Sequence, residues 1–361
     1  MNAARHFSQS YAEARAKFLG AAEQAGLDVE SHVHPMLGRD RETLALDVVR
    51  DGPVDAPALL VVSSACHGVE GYCGSGVQIA LLEDAAWRAE IGRAGVAVLY
   101  LHGLNPYGFS WWRRTTHENV DLNRNFRDFH AAPARNAAYD ELAALLVPPT
   151  WPPGEAVVAQ LDRFVAAHGE RGLQQVISGG QYRHPDGLFY GGSAPTWSHA
   201  TLRQVLRKHA GRCQRLAWVD FHTGLGPSGH GERIFACRDD ADAYARAKAW
   251  WGDVTSIYDG SSTSALVTGF MTLVAYDECA QAEYTAIALE YGTLPQAEVM
   301  LALRADQWLQ NHPEADDATR RAIKQQLRDA FYTDTDAWKE SIVEQGIDAA
   351  RGAVRGLGAT A

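Results

Sequence analysis

The chain has 361 residues, 46% hydrophobic and 21% charged, close to ordinary globular usage and enough for one large α/β domain or two smaller ones. Its formal net charge of -11 argues against a nucleic-acid partner, which demands a basic face. Five cysteines, an odd number with no CxxC pair, argue against a disulfide framework or a cysteine-rich zinc knot.

Residues 1–20 carry Arg5, Glu13, Arg15 and Lys17 and lack the apolar core of a signal peptide. No apolar run approaches the ~18 residues of a membrane helix. A cytoplasmic protein with no membrane partner is the simplest expectation. Phe7, Tyr11, Ala14 and Phe18 recur at steps of three and four, which predicts an amphipathic helix over 5–25. Residues 43–49 alternate as a strand closed by Asp51-Gly52-Pro53. The apolar run 58–62 predicts a buried strand, followed by His67-Gly68-Val69-Glu70 and a helix over 77–82. Residues 95–101 predict a second buried strand, running into the turn-rich stretch His102-Gly103-Leu104-Asn105-Pro106-Tyr107-Gly108.

Helices are expected at 136–146, 155–168 and 196–209, the last capped by Thr196 or Ser198. Pro148, Pro149, Pro152 and Pro153 break the pattern, and 148–195 reads as an insertion that ends in a Gly- and aromatic-rich loop over 179–195. Strands at 215–221 and 286–289 deliver Asp220-Phe221-His222 and Glu290. The tail, 300–361, reads as mostly helical. No internal repeat or linker is evident. The expectation is a single α/β domain over 1–361, a doubly wound mixed sheet with helices on both faces and its motif-bearing core at about 40–300.

His67 and Glu70 follow a strand end, where open α/β sheets bind their ligands. An imidazole and a carboxylate three positions apart can close on one metal ion, and a catalytic zinc needs three protein ligands and an open position. Two more strand ends carry polar residues that an apolar core disfavours, His222 and Glu290. Asp220 reads either as a partner of His222 or as a strand-end turn residue. His102 and His117 read as loop residues, Trp111 and Trp112 as packing residues, and Cys66 as a small buried apolar side chain.

In chain order, His67-Gly68-Val69-Glu70, Asn105-Pro106-Tyr107-Gly108-Phe109, Asp121-Leu122-Asn123-Arg124-Asn125-Phe126, Asp220-Phe221-His222 and Leu289-Glu290 resemble the motifs of the M14-type zinc carboxypeptidase superfamily, and most closely its DUF2817 branch. The resemblance implies one zinc per chain held by His67, Glu70 and His222. It implies Glu290 as the general base that takes a proton from water and passes it to the leaving amine. It implies an arginine at the oxyanion, with Arg114 expected there and Arg113 as its neighbour on the substrate. Asn123 and Arg124 resemble the pair that holds a free carboxylate, which a guanidinium fork matches bidentately. Tyr291 is expected to line the pocket. Two departures stand out. Val69 replaces an arginine of the better-studied members. No motif marks their mobile tyrosine, for which Tyr276 and Tyr284 are the candidates. The loop 181–192 is extra, and its composition suits a lid or a packed surface loop.

The functional expectation is a zinc-dependent hydrolase of an amide bond beside a free carboxylate. It would act on short peptides as a metallocarboxypeptidase or, alternatively, on N-acyl amino acids as a deacylase like the aspartoacylase and succinylglutamate desuccinylase group. A catalytically silent binding relative is the reading from another class, disfavoured because all three ligands and Glu290 are present. The expected partner is a small molecule or short peptide with a carboxylate. The tail, 300–361, is free either to form the interface of a homo-oligomer or to finish the outer layer of the sheet.

Overall fold

A computed structural model describes residues 3–358. The chain runs through helix α1 (Tyr11–Gln24), strands β1 (Val29–Leu37), β2 (Thr43–Asp51) and β3 (Ala58–Ser63), helices α2 (Gly71–Glu83) and α3 (Ala85–Ala94), and β4 (Val96–His102). Then come α4 (Pro106–Trp111), α5 (Ala137–Leu146), α6 (Glu155–Ser178), α7 (Trp197–Ala210), β5 (Arg215–Ser228) and β6 (Gly231–Phe235). The last elements are α8 (Ala241–Trp251), α9 (Ala275–Glu278), β7 (Glu283–Gly292), α10 (Gln296–Asn311), α11 (Asp317–Phe331) and α12 (Asp336–Gly358).

The strands form one seven-stranded sheet in the order β1-β2-β4-β3-β5-β7-β6. The central strands β4, β3, β5 and β7 are parallel, and the outer pairs are antiparallel. β3 and β4 are buried along their whole length, which explains why they read as unbroken apolar runs rather than alternating ones. Full burial of each Val or Leu there contributes about 1.5–3 kcal/mol, so the strand ends that carry the motifs rest on the firmest part of the molecule.

β3 has β4 on one side and β5 on the other, so strand order reverses at β3. Ligand sites of open α/β sheets form at such a crevice, beyond the carboxyl ends of the strands. Along β5, Asp220 and His222 point to one face while Phe221 points to the other. A Cβ on Gly74 of α2 would lie 2.9 Å from that of Phe221, which places α2 on the Phe221 face and accounts for a glycine at the contact. Tyr291 lies on the same side, its hydroxyl donating to the Ile342 carbonyl of α12 (3.0 Å).

Two strands were not expected from the sequence. β1 is an edge strand in which only His34 is buried, and it contains Pro35, so it carries no alternation to detect. β6 is five residues long. The helix expected over 155–168 continues to Ser178 across a non-helical Gly169 (φ 75°, ψ 164°). The expected helices appear at α5, which Asn136 caps by accepting from the Tyr139 amide, and at α7, where of the two expected caps Thr196 accepts from the His199 amide. Among the described residues no helix is long and apolar enough to cross a membrane.

Candidate active site

After β3 the chain turns at Ala65, whose φ is positive (60°), and enters a short 3-10 turn, Gly68–Glu70. Two other segments hold this turn. The Gly68 amide donates to the Arg114 carbonyl (3.1 Å) and the Val69 amide to the Arg113 carbonyl (2.8 Å). A Cβ on Gly68 would lie 2.1 Å from the Gly108 carbonyl carbon, so only glycine lets the turn meet the Asn105–Phe109 stretch. Asn105 caps α4 by accepting from the Gly108 amide (2.9 Å) and donates to the Arg114 carbonyl (3.3 Å). The sequence motifs therefore meet as one backbone assembly that sets Arg114 against His67.

His67, Glu70 and His222 come together, all buried. His67 Nδ1 lies 3.0 Å from Glu70 Oε1, His222 Nδ1 lies 3.0 Å from Glu70 Oε2, and the two Nδ1 atoms are 3.2 Å apart. A tetrahedral ion with bonds of ~2.0 Å has ligand-to-ligand edges of about 3.3 Å, so two imidazole nitrogens and a carboxylate at these separations fit zinc. The far ring nitrogens each meet a carboxylate: His222 Nε2 is 2.7 Å from Asp220 Oδ2 and His67 Nε2 is 3.3 Å from Asp121 Oδ1. For His222 that partner places the proton on Nε2 and leaves Nδ1 as the ligand atom. Cys66, Asp220 and His222 also lie close enough to group around an ion. That grouping is the poorer one, because Asp220 already accepts from Ser63 and faces His222, and burial pushes the Cys66 thiol well up.

The charges support this division of labour. Burial alone would raise Glu70, but His67, His222 and Arg114 outweigh it and hold the carboxyl far below its ordinary range. Asp121 is held low against its burial by Arg124, Arg114 and His67. His222 is raised, Asp220 and Glu70 outweighing its burial. Glu290 moves the other way: burial, with the nearby Glu70 charge, pushes it up to about 8. Glu290 pairs in register with His222 across β5 and β7, and its Oε1 accepts from the Leu225 amide (3.1 Å). Arg114 donates to Asp121 (2.9 Å) and Glu70 (2.9 Å) and reaches within 2.8 Å of His67 Nε2.

A cavity of about 120 Å³ opens on this cluster, lined by His67, Arg114, Asn123, Arg124, His222 and Glu290 among others. Asn123 Oδ1 accepts from the Met271 amide (2.9 Å) and its backbone amide donates to Asp121 Oδ1 (2.9 Å), while its side-chain Nδ2 has no protein partner among the described residues. Arg124 donates to Asp121 (3.1 Å) and to the Ser178 carbonyl. A larger cleft of about 840 Å³ beyond Phe126 contains none of these groups.

Arg113 and Tyr291 do not reach the cavity, against expectation. Arg113 turns away from its neighbour Arg114, donating to Asp306 of α10 (3.3 Å) and to Asn119 (2.9 Å). Tyr291 follows Glu290 on a strand, so it faces the other side of the sheet. Tyr276 and Tyr284 are also elsewhere, within reach of the Arg238 amide and the Thr272 carbonyl. Asp121 and Phe189 were not singled out in the sequence. Asp121 lay inside a recognised stretch, whereas Phe189 sits in a loop with no periodicity to mark it. That loop is packed rather than free. Its backbone is pinned by Tyr139, Asn119 and Asp121, and Phe189 lines the cavity.

The family described as "Protein of unknown function (DUF2817)" matches residues 7–345. No curated protein matches the sequence. Among solved structures, bovine thrombin-activatable fibrinolysis inhibitor in complex with tick carboxypeptidase inhibitor is similar over 97% of both chains, with 11% identity and a TM-score of 0.53. A metallo-carboxypeptidase from Burkholderia cenocepacia covers 92% of this chain and 68% of its own, with 12% identity and a TM-score of 0.39. One from Pseudomonas aeruginosa, in complex with (2-guanidinoethylmercapto)succinic acid, covers 91% and 69%, with 14% identity and a TM-score of 0.41. At these identities the likeness concerns the fold.

Proposed function

This chain belongs to the DUF2817 family, and we propose that it is a zinc-dependent hydrolase of an amide bond next to a free carboxylate, acting as a metallocarboxypeptidase on short peptides. The observation that carries the reading is the triad of His67, Glu70 and His222, whose ligand atoms stand 3.0–3.2 Å apart beside a buried Glu290. Zinc in such a site lowers the pKa of water toward ~7 and polarises a carbonyl.

The chain's own residues supply the rest. Glu290 accepts the proton of the attacking water on a carboxylate oxygen and returns it to the leaving amine. Arg114, already against the triad, offers its guanidinium to the developing oxyanion. The Asn123 amide and Arg124 bind the substrate carboxylate. Asp121 orients His67 and braces both arginines.

A second reading, deacylation of a small N-acyl amino acid, draws on the cavity walls. Ile234, Ile257 and Phe270 belong to one apolar cluster, Phe189, Val299, Leu303 and Phe331 to another, and both line the same small cavity. A short substrate with two apolar ends suits such walls. A mass-spectrometric screen of short peptides and N-acyl amino acids, with and without a chelator, tests both. Chelator-sensitive loss of C-terminal residues is the expected result. Cleavage confined to acyl amino acids would select the deacylase, and silence in both pools without bound zinc would refute the hydrolase.

A further inference from the structure

We infer that Phe189 is a positioning residue that holds Arg114 and Arg124 side by side in the cavity without neutralising either charge; the inference rests on the reading of the site given above.

The two guanidiniums share one aromatic ring. The Cζ atoms of Arg114 and Arg124 lie 4.9 Å and 5.0 Å from the Phe189 ring centroid. They also share one carboxylate, since Asp121 accepts from Arg114 Nε (2.9 Å) and from Arg124 Nη1 (3.1 Å). Like charges this close inside a protein repel: burial first, and the Arg114 charge with it, depress Arg124. A second acid beside Arg124 would relieve the repulsion and cancel the charge that a substrate carboxylate needs. The face of a benzene ring attracts a cation while carrying no net charge. Phe189 therefore fixes both planes without setting a further negative charge beside either.

The backbone marks Phe189 as held in place. Its φ is +51°, a region that a bulky residue seldom occupies and that persists only where the surroundings enforce it. Three successive carbonyls do the enforcing. Leu188 O accepts from the Tyr139 hydroxyl (2.9 Å), Phe189 O from the Gln181 amide (3.2 Å) and Tyr190 O from the Asp121 amide (2.8 Å). The last bond ties the ring's own loop to the carboxylate on the other side of the arginines. Asn119, also at positive φ (63°), donates to the carbonyls of Pro185 and Gly187 while accepting from Arg113. Arg113 thus has a place in the assembly after all: it supports the loop that carries the ring.

The test separates a ring face from mere apolar bulk. Phe189→Leu keeps bulk and loses the face, and Phe189→Tyr keeps both. Each is placed in zinc-loaded Glu290→Gln protein, and N-acetyl-L-phenylalanine is titrated in by calorimetry, with zinc content and melting temperature recorded. The expected result is binding about tenfold weaker with Leu and retained with Tyr, at equal zinc and melting temperature. In otherwise native protein, Leu is expected to lower kcat through Arg114 and raise KM through Arg124.

Equal binding by the Leu variant overturns the inference and leaves the hydrolase reading standing. Weaker binding by Leu alone, in a protein that cleaves no amide, does the reverse. Loss in both variants with a lowered melting temperature overturns the inference in favour of plain packing. A parent protein that binds no carboxylate overturns both. Should the Leu variant not fold, Phe189→Met, which keeps apolar bulk on a flexible stem and has no ring face, carries the same comparison.

Discussion

Asp220 and His222 stand two residues apart on β5, so both side chains fall on one face of the sheet, and Asp220 Oδ2 meets His222 Nε2 at 2.7 Å. The pairing aims Nδ1 at Glu70 and His67. A carboxylate behind a ligating histidine typically accounts for 10–100-fold in metal affinity. Asp220→Ala is therefore expected to weaken zinc binding by about that factor, measured by competition with a chromogenic chelator. Unchanged affinity would reduce Asp220 to a structural partner of Ser63.

Glu290→Gln is expected to keep one zinc per chain and to lose turnover by at least ~10²-fold, because Gln preserves the hydrogen bond to the Leu225 amide and cannot take a proton. Metal content and steady-state rates decide it. A variant that turns over as fast as the native protein removes Glu290 from the chemistry.

The same substitution makes a pH-dependent prediction for the zinc-free protein. Glu290 titrates near 8 when folded, against 4.5 as its ordinary value. Between those limits the folded chain binds more protons than the unfolded one, so its stability falls as pH rises. Glu290→Gln removes that loss. Its melting temperature should gain on the native protein at pH 8 and show no such gain at pH 4. A difference that is constant across the range would mean that the carboxyl is solvated.

Arg113 and Arg124 should part company under mutation. Arg124→Ala is expected to raise KM by roughly tenfold to a hundredfold for substrates with a free carboxylate, the worth of a charge-assisted hydrogen bond, and far less for amide-capped ones. Arg113→Ala removes one of the two cations on buried Asp306, Lys324 remaining, and also the bond to Asn119, and is expected to cost about 1–3 kcal/mol of stability with zinc stoichiometry unchanged. Thermal melts and capped-substrate kinetics check both. Weaker carboxylate binding by the Arg113 variant at full stability would return Arg113 to the substrate.

The central strands and the triad were legible because burial on both faces writes itself as an apolar run, and because a polar residue at the end of such a run stands out. β1 was not legible, since an exposed edge strand with a proline leaves no pattern. Tyr291 was misplaced by reasoning from adjacency along the chain, where the period of two along a strand sends neighbours to opposite faces. The choice between Arg113 and Arg114 turns on the backbone pairing of 113–114 with the His67 turn, a contact between distant segments that no local pattern encodes. Phe189 escaped notice for a related reason. Its importance lies in what two arginines from elsewhere in the sequence bring to it.

The strand order has a temporal side. His67 and Glu70 lie in the turn after β3 and His222 on β5, whereas Glu290 arrives on β7, the last strand to be synthesised. Along a growing chain the full set of candidate ligands is complete well before the carboxyl that would abstract a proton. Pairing of β7 with β5 sets Glu290 opposite His222, so on the proposed reading the ligand set and the base depend on different strands of the sheet.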